Sequence, residues 1–265
     1  MNKKNLTIAI EAALKAGKAI MQVYDTTFNV ELKDDKSPLT EADKNANDVI
    51  NSYLIKTDIP IISEENKQID YSERKQWNDC WVVDPVDGTK EFIKRNGEFT
   101  VNIAYVKKGA PIMGVIYVPA SKILYYAVVS EGKAYKAELN SHDSSIDEVF
   151  KNSNTLQPKN SKSETIQVVG SRSHMNQETL DFIDQIKNSG KSVEIVSKGS
   201  SLKFCLVAEG NADVYPRYAP TMEWDTAAGH AICNAVGIQV ISKETNKSLS
   251  YNKENLLNSY FLVSK

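Results

Sequence analysis

Apolar side chains recur at intervals of three and four residues from Leu6 to Tyr24, through Ile10, Leu14, Ile20 and Met21. That spacing predicts an amphipathic helix packed by one face. A polar, lysine-rich loop over 33–37 follows and is closed by Pro38. Thr40, Glu41, Ala42 and Asp43 then resemble a capping box. Ala46, Val49, Ile50, Tyr53 and Leu54 continue at helical spacing, so a second helix starts near Thr40. Pro60, Ile61, Ile62 and Ser63 predict an apolar strand that ends in two acids, Glu64 and Glu65. Trp81, Val82 and Val83 predict another, expected to stop at Asp84 because Pro85 and Gly88 break the pattern. Gly88 and Thr89 open a helix through 90–93.

From Phe99 onward the chain reads as a meander. β-rich runs over 101–106, 112–118, 123–129 and 133–138 are separated by short turns and predict successive antiparallel strands. The stretch 140–163 is polar and weakly periodic, which predicts an exposed excursion or domain linker. Beyond it, strands over 166–170, 193–196, 213–215 and 238–241 alternate with helices over 176–188, 200–209 and 222–236, the pattern of a layered α/β half. The expected division is an N-terminal α+β domain, 1–150, carrying the meander sheet, and a C-terminal α/β domain, 151–265. A chain of 265 residues suits one large or two modest domains.

Charge narrows the partners. Thirty-two basic against 34 acidic side chains, with a pI near 6.0, give no global positive field for a nucleic-acid polymer or an anionic membrane surface. A phosphorylated substrate must therefore be met locally. Cys80, Cys205 and Cys233 are odd in number and lack CxxC spacing, which predicts reduced core thiols and argues against zinc or disulfides. The N-terminus has no continuous apolar leader and no later run reaches membrane-spanning length, so a cytoplasmic protein without a transmembrane segment is expected. Peripheral attachment to an inner membrane is left open.

The candidate chemistry lies in WVVDPVDGTKEF, residues 81–92. Asp84, the Val86 carbonyl and Asp87 put three oxygen donors within four residues, the donor type that Mg2+ takes together with phosphate and water. Amides and the positive helix end at Gly88 and Thr89 favour a phosphate beside it. Asp beside Pro and Gly also serves simply to cap turns. Asp43 and Asp225 equally suit the first turn of a helix, and surface Glu pairs such as Glu64 and Glu65 are commonly just solvated. His230, one turn beyond Asp225, reads as a packed core histidine.

Two segments in order make a more specific pattern: DPVDGT at 84–89 and WDTAAGHAI at 224–232. Together they resemble the signatures of the inositol monophosphatase superfamily of magnesium-dependent, lithium-sensitive phosphomonoesterases. TKEF, GSRSH, GSSLK and VYPRYAPTMEWD resemble its branch acting on 3'(2'),5'-bisphosphate nucleotides. The resemblance implies an α/β (α+β) fold, a layered αβαβα sandwich. It implies two or three Mg2+ ions, one held by Glu64, Asp84 and Val86, another by Asp84, Asp87 and Asp225. Thr89, oriented by Asp43, would activate water. Gly88, Thr89, Ser171, His174, Gly199, Lys203, Arg217 and Asp225 would line the substrate site. The implied reaction removes the 3'-phosphate of adenosine 3',5'-bisphosphate to give AMP, in nucleotide recycling linked to sulfur assimilation, by a monomer or homodimer. The alternatives are an inositol or other sugar phosphatase of the same fold and, in a different class, a non-catalytic nucleotide sensor.

Overall fold

A computed structural model of the chain describes residues 2–27, 30–32, 38–159, 164–170 and 175–265. The periodic N-terminal stretch is helix α1, Asn2–Tyr24. After it come β1, Val30–Leu32, and β2, Pro38–Thr40, which pair with each other, then α2, Glu41–Leu54. Next are β3, Ile61–Ser63, the short α3, Tyr71–Arg74, β4, Asp79–Asp87, and α4, Thr89–Ile93. The meander follows as β5, Thr100–Lys107, β6, Ala110–Val118, β7, Ile123–Val128, and β8, Lys133–Glu138. Then come α5, Ile146–Lys151, and β9, Ser153–Thr155. The remainder runs β10, Thr165–Gly170, α6, Gln177–Asn188, β11, Ser192–Ser197, α7, Leu202–Ala208, β12, Val214–Arg217, α8, Glu223–Ala235, β13, Gln239–Ser242, and β14, Phe261–Ser264.

Two sheets organise these elements. One has seven strands in sequence order from β3 to β9, and the other has five in the order β11-β10-β12-β14-β13. Helices α1 and α2 pack on the outer face of the first, where Ile10, Ile20, Ile50 and Leu54 meet Trp81, Val83, Val101 and Tyr117 in one buried cluster. Helices α7 and α8 lie between the sheets, and α6 covers the far face of the second through Ile183, Val168 and Val214. The layers run α, β, α, β, α, as the resemblance implies. Helix α8 sits against the first sheet at Gly114, where a Cβ would fall 2.3 Å from the Ala228 carbonyl oxygen. Glycine there lets helix and strand backbones touch.

Three expectations are corrected. The strand after Trp81 does not stop at Asp84: β4 continues to Asp87 across a bulge, with Asp84 opposite Asn102 and Asp87 opposite Thr100. Pro85 lies inside the bulge, where its missing N–H breaks no regular ladder. The stretch 140–163 is more than an excursion. Ser145 and Glu148 form a capping box that starts α5, Val149 is buried, β9 extends the large sheet, and Asp143 pairs with Lys15 and Lys18. Residues 160–163, like the loop 33–37, lie outside the described residues. Finally, β14 joins the small sheet between β12 and β13, a strand that the alternation did not announce.

Candidate active site

Three elements deliver the carboxylates. Strand β3 pairs in parallel with β4, Ser63 opposite Val83, and the Glu64 N–H donates to the Val83 carbonyl at 3.2 Å. Glu64 therefore follows the neighbouring strand to the side of Asp84. The bulge in β4 lets Asp84 and Asp87 face one place although they are three residues apart, and the Val86 N–H donates to Asp84 Oδ1 at 3.0 Å. The first turn of α8 adds Asp225, whose Oδ2 accepts from the Met222 N–H at 2.8 Å. Among the described residues, Asp84, Asp87 and Asp225 each offer a carboxylate oxygen within 4.8 Å of the others. Glu64 stands beside this trio.

Such proximity is electrostatically costly. Asp84 is 1% exposed, and burial first, then the charges of Glu64, Asp87 and Asp225, push its pKa well above the usual carboxylate range. Burial and the charge of Asp87 push Asp225 up to about 8. Like charges this close oppose ionisation unless a cation neutralises them.

Asp43 and Thr89 come together from α2 and α4. Asp43 is buried, and its Oδ2 accepts the Thr40 N–H and Oγ1–H, both at 2.7 Å, in a capping box. Its Oδ1 lies 3.2 Å from Thr89 Oγ1, which is also 3.3 Å from the Val86 carbonyl oxygen. Gly88, at φ +92°, makes the left-handed turn from β4 into α4. The Val86 carbonyl thus faces the Thr89 hydroxyl.

Asp87 and Asp225 of the trio line a cleft of about 650 Å³ together with Gly88, Gly199, Lys203 and Arg217, among others. Lys203 lies in the first turn of α7 and Arg217 ends β12, so these two cations share the cleft with Asp87 and Asp225, and Glu91, Glu98, Lys90, Lys94 and Lys198 also line it. The Lys203 Nζ donates to the Ser200 carbonyl at 3.0 Å, and burial draws its pKa below the ordinary lysine value against the pull of Asp87. Arg217 donates through one terminal nitrogen to the Pro220 carbonyl at 3.1 Å, while its buried Nε has no partner. The Gly199 amide does not face the cleft as a spare donor, because it donates to Glu98 Oε2 at 2.8 Å. Ser171 and His174 lie outside the described residues.

His230 is a core residue, as expected. It is fully buried, with Nδ1 2.9 Å from the Tyr251 hydroxyl and Nε2 3.1 Å from the Ser248 Oγ. The three cysteines are buried and free. Among the described residues, no helix is long and apolar enough to cross a membrane.

Sequence reasoning missed Asn102 and the contacts that Ser200 and Ser201 make to Asp87. Asn102 Nδ2 donates to Asp87 Oδ2 at 3.2 Å, Ser201 Oγ donates to the same oxygen at 2.8 Å, and Ser200 Oγ donates to the Asp87 carbonyl at 2.5 Å. A signal was present in the first case: Asn102 is a polar interruption in the apolar run of β5.

The inositol monophosphatase family model matches residues 1–260. The chain is 45% identical over 259 residues to the 3'(2'),5'-bisphosphate nucleotidase CysQ of Salmonella typhimurium, covering 96% of this chain and 97% of the relative. It is 41% identical over 269 residues to the protein of the same name from Buchnera aphidicola, with 99% and 94% covered. The crystal structure of CysQ from Bacteroides thetaiotaomicron, described as a bacterial member of the inositol monophosphatase family, matches with a TM-score of 0.87 at 48% identity, over 98% of this chain and 97% of that one. The five layers, the acids that β4 and α8 bring together, and these full-length matches agree: the chain belongs to the inositol monophosphatase family.

Proposed function

We infer that the protein is a magnesium-dependent 3'(2'),5'-bisphosphate nucleotidase that hydrolyses the 3'-phosphate of adenosine 3',5'-bisphosphate to AMP and phosphate. The observation that carries this reading is the cleft itself. Asp87 and Asp225 of the acidic trio line it together with the cations Lys203 and Arg217. A substrate with two separate phosphates needs both. The curated nucleotidases that match across nearly the whole chain support the same substrate class.

The residues present fit a hard divalent cation. All donors are oxygen, the carboxylates are buried or partly so, and none of the three is ion-paired among the described residues. That is the donor chemistry of Mg2+. Glu64, Asp84 and the Val86 carbonyl would hold one ion, and Asp84, Asp87 and Asp225 a second. When bound, such ions supply Lewis-acid charge for phosphate oxygens and make water more acidic.

The chain's own groups supply the rest. Thr89 Oγ1, donating to Asp43, keeps a lone pair that accepts a proton from the attacking water while its own proton passes toward Asp43. The two Thr40 donors fix the Asp43 carboxylate for this role. Gly88 bounds the phosphate side of the cleft. Lys203 and Arg217 take the 5'-phosphate, where charge-assisted hydrogen bonds orient the nucleotide. Ser171, His174 and Gly199 remain assigned to the nucleotide's surroundings by family position. Each of these groups comes from one chain, so the mechanism serves a monomer or a homodimer alike. Three buried free thiols support action in the reducing cytoplasm.

Phosphate release from adenosine 3',5'-bisphosphate and from inositol 1-phosphate, each with Mg2+, with EDTA and with added Li+, tests the reading. Mg2+-dependent, Li+-sensitive preference for the nucleotide is the expected result. Preference for the inositol ester would overturn the substrate assignment, and no turnover of either would point to a nucleotide sensor.

A further inference from the structure

Two neighbouring serines before α7 depart from local conformational rules, and both departures serve Asp87. Ser200 has φ +54°, a left-handed backbone that residues with a Cβ seldom take. Its Oγ reaches the Asp87 carbonyl at 2.5 Å and lies 3.1 Å from Thr100 Oγ1. Ser201 occupies the N-cap of α7 yet makes no capping hydrogen bond to its own helix. A serine there ordinarily accepts an N–H from the first turn. Here its Oγ lies 2.8 Å from Asp87 Oδ2, 2.8 Å from the Asp225 carbonyl oxygen and 2.8 Å from Asn102 Nδ2.

Counting hydrogens fixes the arrangement. Asn102 Oδ1 accepts from Thr100 Oγ1 at 3.0 Å, and a flipped amide would set two oxygens against each other at Asp87. The Asn102 amide nitrogen therefore donates toward the adjoining pair Asp87 Oδ2 and Ser201 Oγ, at 3.2 and 2.8 Å. The Ser201 hydroxyl has one proton and two acceptors, Asp87 Oδ2 and the Asp225 carbonyl. It therefore lies against both β4 and α8, the elements that carry Asp87 and Asp225. Asp87 Oδ2 is held, whereas Oδ1 has no hydrogen bond among the described residues.

We propose that Asn102 and Ser201 are positioning residues: from β5 and the start of α7 they clamp one oxygen of Asp87 so that the other is presented to a divalent cation. Partners of this kind around a ligand typically contribute about 10–100-fold in metal affinity. The proposal rests on the cation reading of the acidic trio and not on the identity of the phosphate ester.

Calorimetric titration with Mn2+ alone tests it, on the wild type, Ser201→Ala, Ser201→Thr and Asn102→Ser, with no ester present. Ser201→Ala and Asn102→Ser should weaken Mn2+ binding by about 10–100-fold, and Ser201→Thr, which keeps the hydroxyl, should restore it. Raising Mn2+ should return kcat toward wild type in both weakened variants without changing KM for the nucleotide, a rescue that a packing defect would not show. Unchanged Mn2+ affinity in Ser201→Ala and Asn102→Ser would overturn the proposal. So would loss of the folded state by both variants in EDTA, since the residues would then be structural supports. A wild type that binds Mn2+ but cleaves no nucleotide would refute the substrate reading alone, and the Mn2+ series would still decide this one.

Discussion

Thr89 Oγ1 meets Asp43 Oδ1 at 3.2 Å and joins the first turns of two helices that are far apart in sequence. One carboxylate thus has two tasks, capping α2 through Oδ2 and orienting a hydroxyl through Oδ1. Thr89→Val keeps the shape and removes the hydroxyl. We expect kcat to fall about 10²–10⁴-fold, the usual range for a lost acid–base group, with KM for the nucleotide near wild type. Thr89→Ser should retain most activity. Steady-state phosphate release measures both.

Asp84 lies under burial and three like charges. Asp84→Asn should abolish turnover yet leave the cation-free protein at least as stable as wild type, and by analogy with buried ion replacements more stable by about 1 kcal/mol or more. The amide oxygen can still accept the Val86 N–H. Urea unfolding in EDTA provides the check; a marked loss of stability would mean that the charge is compensated within the fold.

Lys203 faces the cleft from α7. Lys203→Ala should raise KM for adenosine 3',5'-bisphosphate about 10–100-fold, the loss of one hydrogen bond to a charged group. Cleavage of p-nitrophenyl phosphate, which has no second phosphate, should change little. Equal losses on both esters would remove Lys203 from the 5'-phosphate.

His230 carries a pH dependence with a definite sign. Burial lowers its pKa from 6.5 to about 3. Between these values the unfolded chain binds a proton that the folded chain refuses, so stability is complete above pH 6.5 and declines as pH falls toward 3, by about 1.4 kcal/mol per unit. His230→Asn should remove this component. Urea unfolding at pH 7 and pH 5 should show wild type losing about 2 kcal/mol more than the variant.

Much of this was legible in the sequence where one signal dominated. Regular three-and-four spacing placed α1 and α2, and alternating β-rich runs placed the meander. Asp84 and Asp87 stood out beside Pro85 and Gly88, which disturb regular backbone, whereas Asp225 was marked only by the resemblance of WDTAAGHAI to a family signature. What failed was reading Pro85 as an end, when the partner strand β5 carries β4 through the bulge. A strand stop is a tertiary matter whenever a neighbour supplies the ladder. The Ser145–Glu148 capping box was visible but was hidden in a polar stretch. The tasks of Asn102 and Ser201 were missed because they depend on contacts between distant segments.

The acids of the trio come from β4 and α8, with most of the two-sheet core between them in sequence. During synthesis, Asp84 and Asp87 leave the ribosome long before Asp225 exists as part of the chain. A nascent polypeptide therefore carries only part of the acidic trio, and the cation site proposed above is unfinished until α8 is made. The repulsion among the three acids is also deferred, arising only as α8 docks against Gly114 in the final arrangement of layers. On the proposed ligand set, cation capture is in this way tied to completion of the fold, and a chain cut short before α8 lacks one of the three acids.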